Sequence, residues 1–289
     1  MENILEIKNL SKAFRDFSLN NISFALPKGY ITGFIGPNGS GKTTTIKLIM
    51  NLLKKDTGEI KVFGWDHIRH EREIKNRIGF VYDESHFYEE LTVEEMKRVI
   101  APMYRKWDER QFKSYIGEFG LPLKRKIKEL SRGMKVKFSL AIALSHRADL
   151  LIMDEPTSGL DPVVRSEILD ILSNVIQDEN KGVFFSTHIT SDLDRIADYI
   201  VMIHKGEILF RKTKDELLEN HAIVKGSLSL LNANSNKNLI GIRKNNYGFE
   251  ALSKDTKSAD ILAKEGAVVD KSTMEDIMLY YTRKENGNA

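Results

Sequence analysis

The chain has 289 residues, of which 41% are hydrophobic and 29% are charged, and its formal net charge at pH 7 is +3. This length allows about two domains with a large buried core, and the composition excludes bulk disorder. The small net charge does not indicate nucleic-acid binding, so we expect no nucleic-acid partner. The absence of cysteine excludes disulfides and thiolate metal sites.

The N-terminal part predicts strands followed by a strand, loop and helix. Alternating apolar residues from Ile4 to Leu26 are typical of short antiparallel strands. An apolar strand over Tyr30–Ile35 then leads through a glycine-rich loop into a helix over Thr43–Leu53. No run of about 18 uncharged apolar residues occurs, so we expect work at a membrane to go through a partner.

The middle of the chain predicts an inserted helical subdomain over about residues 84–147. Residues 92–128 lack strand signals, and their helical spacing is interrupted by glycine and proline. Residues 97–147 carry 14 basic and 4 acidic side chains. A run of charge is usually a solvated surface, and the alternative is a contact surface for a partner or for anionic lipid headgroups.

Three later apolar runs without alternation predict strands covered on both faces, as in a parallel sheet. These runs are Leu150–Met153, Val183–Phe185 and Ile200–Ile203. Between the first two, Pro162–Gln177 predicts a helix with Asp161 as its N-cap. The alternation of strands and helices indicates an α/β fold class.

A change of composition towards Asn and Ser predicts a boundary near residue 220, which divides the chain into domains 1–219 and 220–289. The second part predicts a small α+β domain with a hairpin around Asn245-Asn246. Its last helix begins at a capping-box pattern formed by Ser272 and Glu275. So small a segment is marginal alone, so we expect it to dock on the core or pair with another copy, and to hold or regulate a dimer.

The segment Gly36–Thr43 matches the phosphate-loop pattern G-x-x-x-x-G-K-[ST] between a predicted strand and a predicted helix. Its backbone N–H groups and the helix N-terminus can surround phosphate oxygens. Lys42 would reach the β and γ phosphates and the Thr43 hydroxyl would bind Mg²⁺, whereas the alternative is an ordinary glycine turn. The predicted nucleotide-binding residues here are Gly36, Pro37, Asn38, Gly39, Ser40, Gly41, Lys42, Thr43 and Thr44.

Two adjacent carboxylates, Asp154 and Glu155, follow the predicted strand at residues 150–153. The carboxyl end of a parallel strand is where ligands bind in such sheets. Asp154 would hold Mg²⁺, and Glu155 would orient or deprotonate the water that attacks the γ-phosphate. A carboxylate pair in this position can also be a solvated loop start.

Five motifs in this order resemble the nucleotide-binding subunit of ABC transporters over roughly residues 1–215. They are the phosphate loop, Leu130–Met134, Asp154-Glu155, Ser158–Asp161 and Ser186–His188. The resemblance implies a P-loop core with an antiparallel β subdomain and an inserted helical subdomain. It also implies ATP and Mg²⁺ as cofactors, and two such domains that face head to tail and close on two ATP molecules.

The segment Leu130–Met134 lies where this family has the signature Leu-Ser-Gly-Gly-Gln, so Arg132 and Met134 depart from the common form. The resemblance makes Ser131 and Gly133 contacts to the ATP of the opposite domain. Ser131 can also cap the helix that runs towards residue 144, and a helix cap alone is the alternative.

The remaining site residues are implied by the resemblance. Asp161 lies in the loop that joins the two sites across the dimer, and His188 contacts the γ-phosphate and the attacking water. Phe14 takes the aromatic position that stacks on adenine, with Phe17 as a competitor. Asp83, with Glu84 beside it, stands where the family usually has a glutamine that touches Mg²⁺ and links the ATP site to the membrane partner.

The function that we expect is ATP hydrolysis that powers a separate membrane-spanning subunit, with export of a drug, an antimicrobial or an amphipathic peptide. The chain would work with a second ATP-binding subunit, identical or closely related, at the cytoplasmic face of the cell membrane. The alternatives are an ABC-type ATPase acting on DNA or ribosomes without a membrane partner, and a nucleotide-binding regulator without turnover. The regulator would be expected to lack Glu155 or His188, and both are present.

Overall fold

The computed structural model describes residues 2–83, 86–231 and 235–283. It forms two compact units, the first Met1–Ile189 with Val201–Arg211, the second Thr190–Ile200 with Lys212–Ala289. The predicted division into domains 1–219 and 220–289 concerns independent folding and stays a prediction. None of the helices in the described ranges is long and apolar enough to cross a membrane.

Residues 3–187 contain fourteen labelled elements. In chain order they are β1 (Asn3–Ala13), β2 (Ser18–Pro27), β3 (Ile31–Ile35), α1 (Lys42–Ile49), β4 (Thr57–Val62), β5 (Trp65–Asp66), α2 (Glu71–Lys75), β6 (Ile78–Val81), α3 (Val93–Ile100), α4 (Glu109–Glu118), α5 (Arg132–Ser145), β7 (Leu150–Asp154), α6 (Pro162–Val175) and β8 (Gly182–Thr187). The elements that follow are α7 (Thr190–Ile196), β9 (Tyr199–His204), β10 (Glu207–Thr213), α8 (Lys214–Asn220), β11 (Ala222–Gly226), β12 (Leu239–Asn245), β13 (Gly248–Ser253), α9 (Thr256–Lys264), β14 (Val268–Lys271) and α10 (Met274–Thr282).

Two sheets form the layers of the first unit. An antiparallel sheet has the order β2-β1-β4-β5, which confirms the antiparallel strands predicted between residues 4 and 26. The central sheet has the order β10-β9-β3-β8-β7-β6, and β3, β8, β7 and β6 pair in parallel. Every residue of β3, β7 and β8 is buried, as the uninterrupted apolar runs predicted.

The core of the first unit lies between these sheets. Phe24, Phe34 and Phe184 form a ring cluster with centroids 5.3–6.0 Å apart. Such aromatic clusters bury a large apolar area and fix the relative position of the layers. The cluster therefore joins β2 of the antiparallel sheet to β3 and β8 of the central sheet.

Helices α3, α4 and α5 form the inserted segment, as predicted for the middle of the chain. Its basic residues are partly neutralised within the segment, since Lys97 pairs with Glu109 and Arg147 with Asp108. These pairs reduce the positive charge that the segment presents to solvent. Residues 84 and 85, at the start of the predicted subdomain, lie outside the described residues.

Two helix starts match the sequence, and the helix after the phosphate loop is shorter than predicted. Ser131 caps α5 by accepting a hydrogen bond from the Met134 N–H, and Asp161 caps α6, with Pro162 in its first turn. The helix predicted from residue 43 to 53 begins one residue earlier and ends at Ile49. Asn51 has a φ of +53°, which is incompatible with continued right-handed helix.

The second unit contains a four-stranded antiparallel sheet with the order β12-β13-β11-β14. The hairpin predicted around residues 245 and 246 is confirmed, because Asn245 pairs with Gly248. The predicted capping box of the last helix was wrong by one residue. Thr273 and Asp276 form the box that begins α10, whereas the Ser272 hydroxyl is buried and donates to the His221 carbonyl at 2.9 Å.

Candidate active site

A cavity of about 550 Å³ lies where α1 begins, at the carboxyl ends of the parallel strands. Cavities at this edge of an open parallel sheet are the usual ligand sites of the fold class. Its walls bring together most of the phosphate loop, both predicted catalytic residues and Asp83. The lining residues are Asp16, Phe17, Asn38, Gly39, Ser40, Gly41, Lys42, Thr43, Thr44, Asp83, Glu155, Ser158 and His188.

The phosphate loop presents donors to this cavity. Gly39 and Gly41 have φ values of +76° and +113°, which residues with a side chain rarely adopt. Gly41 stands at the N-cap of α1 without a side-chain hydrogen bond, so that no side chain competes for the first N–H groups of the helix. The Ser40 hydroxyl is buried and has no partner in the structure. A phosphate group, which offers only acceptors, fits this arrangement.

Gly36 and Pro37 form the base of the loop rather than the cavity wall. A Cβ atom on Gly36 would lie 2.2 Å from the Ile203 carbonyl oxygen, so only glycine fits there. The Lys42 ammonium donates to the Gly36 carbonyl at 2.7 Å and to the Pro37 carbonyl at 3.4 Å. The loop backbone thus holds the lysine side chain, which is only 6% exposed.

Glu155 connects the lysine to the predicted histidine. Its Oε1 lies 3.2 Å from the Lys42 Nζ and its Oε2 lies 2.8 Å from the His188 Nδ1. The Glu155 backbone has a φ of +48°, a strained conformation that is concentrated at functional sites in proteins. A carboxylate held between a cation and an imidazole in a cavity is suited to bind and orient a water molecule.

Ser186 fixes both acidic residues of the pair. Its hydroxyl donates to Asp154 Oδ1 at 2.6 Å and accepts from the Glu155 N–H at 3.0 Å. The sequence indicates Ser186 only as part of a motif, because its role depends on β7 and β8 lying side by side. No local signal in the sequence could have identified this contact.

The acidic residue at position 83 lines the cavity and forms an ion pair with Arg132. Arg132 Nη2 also donates to the Asp83 carbonyl at 3.4 Å. The neighbouring Glu84, named beside it as a candidate, lies outside the described residues. The structure therefore brings together the two positions at which the chain departs most from the expected motifs.

The aromatic residues near the cavity divide between two positions. Phe17 lines the cavity, whereas Phe14 is 43% exposed and does not line it. The Phe14 and Phe17 rings stack with their centroids 6.3 Å apart and their planes inclined by 29°. Asp16 and Ser158 also line the cavity, and the sequence did not single out either side chain as a ligand. A turn residue between two aromatic residues carries no signal that would reveal it.

Comparison with known proteins identifies the family. The family model described as ABC transporter matches residues 19–158. The bacitracin transport ATP-binding protein BcrA of Bacillus licheniformis is 32% identical over 72% of this chain and 69% of its own length. The lantibiotic transport ATP-binding protein SrtF of Streptococcus pyogenes is 34% identical over 73% and 92%.

A solved structure, described as the ATP-binding subunit of an ABC transporter, has a TM-score of 0.68 and 30% identity, and the match covers 74% of this chain and 91% of that one. The chain belongs to the ABC transporter ATP-binding proteins. This ATP-binding subunit hydrolyses ATP to drive transport. The predicted family, P-loop fold and enzyme class are confirmed.

Ser131, Gly133 and Asp161, which the resemblance also assigns to ATP, lie outside the cavity of this ATP-binding subunit. Ser131 is exposed at the start of α5, and Asp161 Oδ1 accepts from the N–H groups of the first turn of α6. Gly133 is buried, and a Cβ there would lie 2.5 Å from Val164 Cγ1. Close packing of α5 on α6 is therefore a sufficient structural reason for this glycine.

The residues predicted to hold Mg²⁺ in the ATP-binding subunit are Thr43, Asp83 and Asp154. Thr43 and Asp83 line the cavity, and Asp154 is 6% exposed beneath it. Within the described residues, no group of three or more His, Cys, Asp or Glu side chains could hold a metal by itself. This oxygen-donor set fits Mg²⁺ bound jointly with nucleotide phosphates, because Mg²⁺ is usually held by one or two carboxylates together with phosphate oxygens.

Proposed function

We propose that this chain hydrolyses ATP at the cavity beside Lys42 and thereby powers a membrane subunit that exports a peptide antibiotic. The observation that carries the site is the position of Glu155 between Lys42 and His188. The substrate class is supported by the relatives, since bacitracin and lantibiotics, named in the descriptions of BcrA and SrtF, are antimicrobial peptides. Such a complex would place this chain at the cytoplasmic face of the cell membrane.

The catalytic roles follow from charge and reach. Lys42 would balance the charge of the β and γ phosphates, which the phosphate-loop N–H groups surround. Glu155 would orient and deprotonate the attacking water, and His188 would hold that carboxylate and the water in line. Mg²⁺, held by Thr43, Asp83 and Asp154, would supply charge neutralisation on the phosphates. Ser186 positions both carboxylates but does not reach the cavity.

We further propose that two copies, or this chain and a close relative, enclose each ATP. Ser131 lies exposed at the N-terminus of α5, where partial positive charge favours a phosphate. Its hydroxyl and Asp161 would face the opposite subunit. Phe14, with nearly half of its surface exposed, would present one ring face to the adenine.

A second cavity of about 440 Å³ is proposed as the docking groove for the membrane subunit. Tyr88 and Met103 line it and are 68% and 67% exposed, so the groove presents large side chains with apolar surface to solvent. Asp83 lines both this groove and the ATP cavity, so the two sites share one residue. We assign the groove to a short amphipathic helix of the membrane subunit, because helices bind in such grooves through their apolar faces.

The variant Glu155→Gln tests the assignment of the site. It should bind ATP within about twofold of the wild type, while kcat falls by roughly a hundredfold or more because the carboxylate that activates water is lost. ATP should then hold the variant as a dimer in size-exclusion chromatography. Glu207→Gln, an exposed exchange on β10, serves as the control and should hydrolyse ATP normally. Turnover by Glu155→Gln near the wild-type rate would refute the assigned role.

Co-expression with a membrane protein encoded by the adjacent reading frame tests the transporter assignment. Met103→Glu should reduce co-purification of that protein at least fivefold, since a charge would enter the apolar groove. Ile261→Glu, on the exposed surface of α9, is the matched control and should leave co-purification intact.

Cells that contain the complex should also survive higher concentrations of bacitracin-type or lantibiotic-type peptides. Unchanged sensitivity to both classes would contradict the proposed substrate class.

A further inference from the structure

The charged side chains that line the ATP cavity are mostly acidic, which opposes the binding of a polyanion. Among the lining residues that the structure describes, Asp16, Asp83 and Glu155 are acidic, and Lys42 is the only lysine or arginine. Lys42 is already paired with Glu155. A carboxylate at position 83 therefore adds to the repulsion that the cavity side chains exert on the nucleotide.

Arg132 supplies a positive charge from outside that wall. Its guanidinium forms the ion pair with the Asp83 carboxylate and also bonds the Asp83 carbonyl. A Cβ on Gly159 would lie 3.3 Å from Arg132 Nη1 and 3.7 Å from Cζ, so the guanidinium rests against that glycine. One side chain thus contacts two loops that border the site, and its two bonds fix the position of Asp83.

The position of Arg132 in its helix has no local explanation. It is the first residue of α5, and no acidic residue is present in the first turn. A cation at a helix N-terminus is disfavoured by the helix dipole. The Asp83 carboxylate offsets this cost from 49 residues away in the sequence. Both side chains are nearly half exposed, so the ion pair contributes little to the free energy of unfolding. Its effect is therefore expected on ligand binding.

We propose that Arg132 is a positioning residue of the ATP site, which cancels the negative charge that Asp83 brings to the cavity and holds that carboxylate in place. This inference rests on the proposed function of the cavity. Asp83 and Arg132 then act as one neutral unit. The loss of either partner alone changes the net charge that ATP meets, whereas the loss of both restores the original net charge.

ATP binding to the full chain, measured calorimetrically in EDTA at low ionic strength, tests the charge role without Mg²⁺ or turnover. Arg132→Gln should weaken ATP binding roughly threefold to tenfold, and 0.5 M NaCl should reduce the difference because it screens the charge. Asp83→Asn should bind ATP at least as tightly as the wild type. The double variant should return to within about twofold of the wild type, and Arg132→Lys should retain most of the affinity.

Lys137→Gln is the matched control, because it removes a cation from the same helix whose partner is Glu167. It should bind ATP like the wild type. The proposal is overturned if Arg132→Gln binds ATP normally, or if the double variant stays as weak as Arg132→Gln, which would mean that Arg132 meets the nucleotide directly. The Lys42→Ala variant distinguishes a failure of the Arg132 role from a failure of the ATP site. Loss of binding in Lys42→Ala supports the site whatever Arg132 does, whereas normal binding would refute the cavity itself.

Discussion

Single residues at the ATP site combine strain with precise hydrogen bonding. Glu155 holds a φ of +48° directly after a buried strand, and its N–H bonds the Ser186 hydroxyl. A left-handed conformation costs a non-glycine residue about 1–3 kcal/mol, which the surrounding contacts must offset. The strain turns the Glu155 side chain towards Lys42 and His188, away from the direction that Asp154 takes. Two adjacent carboxylates therefore acquire different surroundings and different roles.

A second residue is buried for a different reason. The His146 ring stacks on Tyr104 with centroids 3.8 Å apart and planes inclined by 5°, and neither ring nitrogen has a hydrogen-bond partner among the described residues. Burial lowers the pKa of His146 to about 4. The protein keeps this imidazole neutral, because a buried charge without a partner is costly.

The pH dependence of stability should reveal this histidine. Above about pH 6.5 the imidazole is neutral in both the folded and the unfolded chain, so its protonation takes nothing from the free energy of unfolding. As the pH falls from 6.5 to about 4, the unfolded chain binds the proton first, and the free energy of unfolding should fall by about 3 kcal/mol. Urea titrations at several pH values would measure this loss. His146→Phe keeps the stack on Tyr104 and should lack this component; an identical pH profile would contradict the prediction.

At the scale of elements, α5 joins the inserted segment to the central sheet. Gly79 on β6 lies against this helix, and a Cβ there would be 2.4 Å from the Ala143 Cβ and 2.6 Å from Leu151 Cδ2. The other end of α5 approaches α6 closely through Gly133. Two glycines thus fix a helix whose N-terminal end is proposed to face the ATP of the opposite subunit.

Two glycine-to-alanine exchanges should change the free energy of unfolding in opposite directions. Gly79→Ala should lower the free energy of unfolding by about 1–3 kcal/mol, because the new methyl group overlaps a packed helix and strand. Gly117→Ala, within α4, should raise it by about 0.5–1 kcal/mol, since no atom lies within 4 Å of the new Cβ and alanine favours helix. Urea denaturation of both variants would measure the difference. A Gly79→Ala variant as stable as the wild type would show that α5 is not held tightly on β6.

At the scale of the whole molecule, the chain enters its second unit twice. Residues 190–200 belong to it, the chain then returns to the first unit, and residues 212–289 complete the second. Helix α7 packs against α10 within this unit, and Leu193 and Ile196 of α7 are buried. Helix α7, which begins two residues after His188, therefore packs on the C-terminal helix of the chain.

Removal of residues 220–289 should expose the apolar face of α7. We expect a lower midpoint of thermal unfolding and binding of a hydrophobic dye, because α10 is gone and each fully exposed aliphatic side chain costs about 1.5–3 kcal/mol. Leu193→Gln provides an internal control with reversed sign. It should destabilise the full chain but improve the solubility of the truncated one. A truncated chain that melts like the full protein would contradict this dependence.

The sequence by itself determined the family, the α/β class, the phosphate loop and the caps Ser131 and Asp161. These features depend on short-range patterns, such as strand and helix periodicity, glycine spacing and side-chain reach over three residues. The one-residue error at α10 arose because Ser272 and Thr273 can both cap a helix. Burial of Ser272 against the His221 carbonyl decided between them, and no local pattern contains that information.

Only the tertiary structure decided which distant side chains meet. Glu155 pairs with His188 across 33 residues, and Asp83 pairs with Arg132 across 49. These contacts depend on the order of strands in the sheet and on the packing of α5, and strand order is set by the whole core rather than by any segment. The sequence therefore determined which chemical groups are present, and the fold determined which of them act together, because proximity arises from packing that no single stretch of sequence specifies.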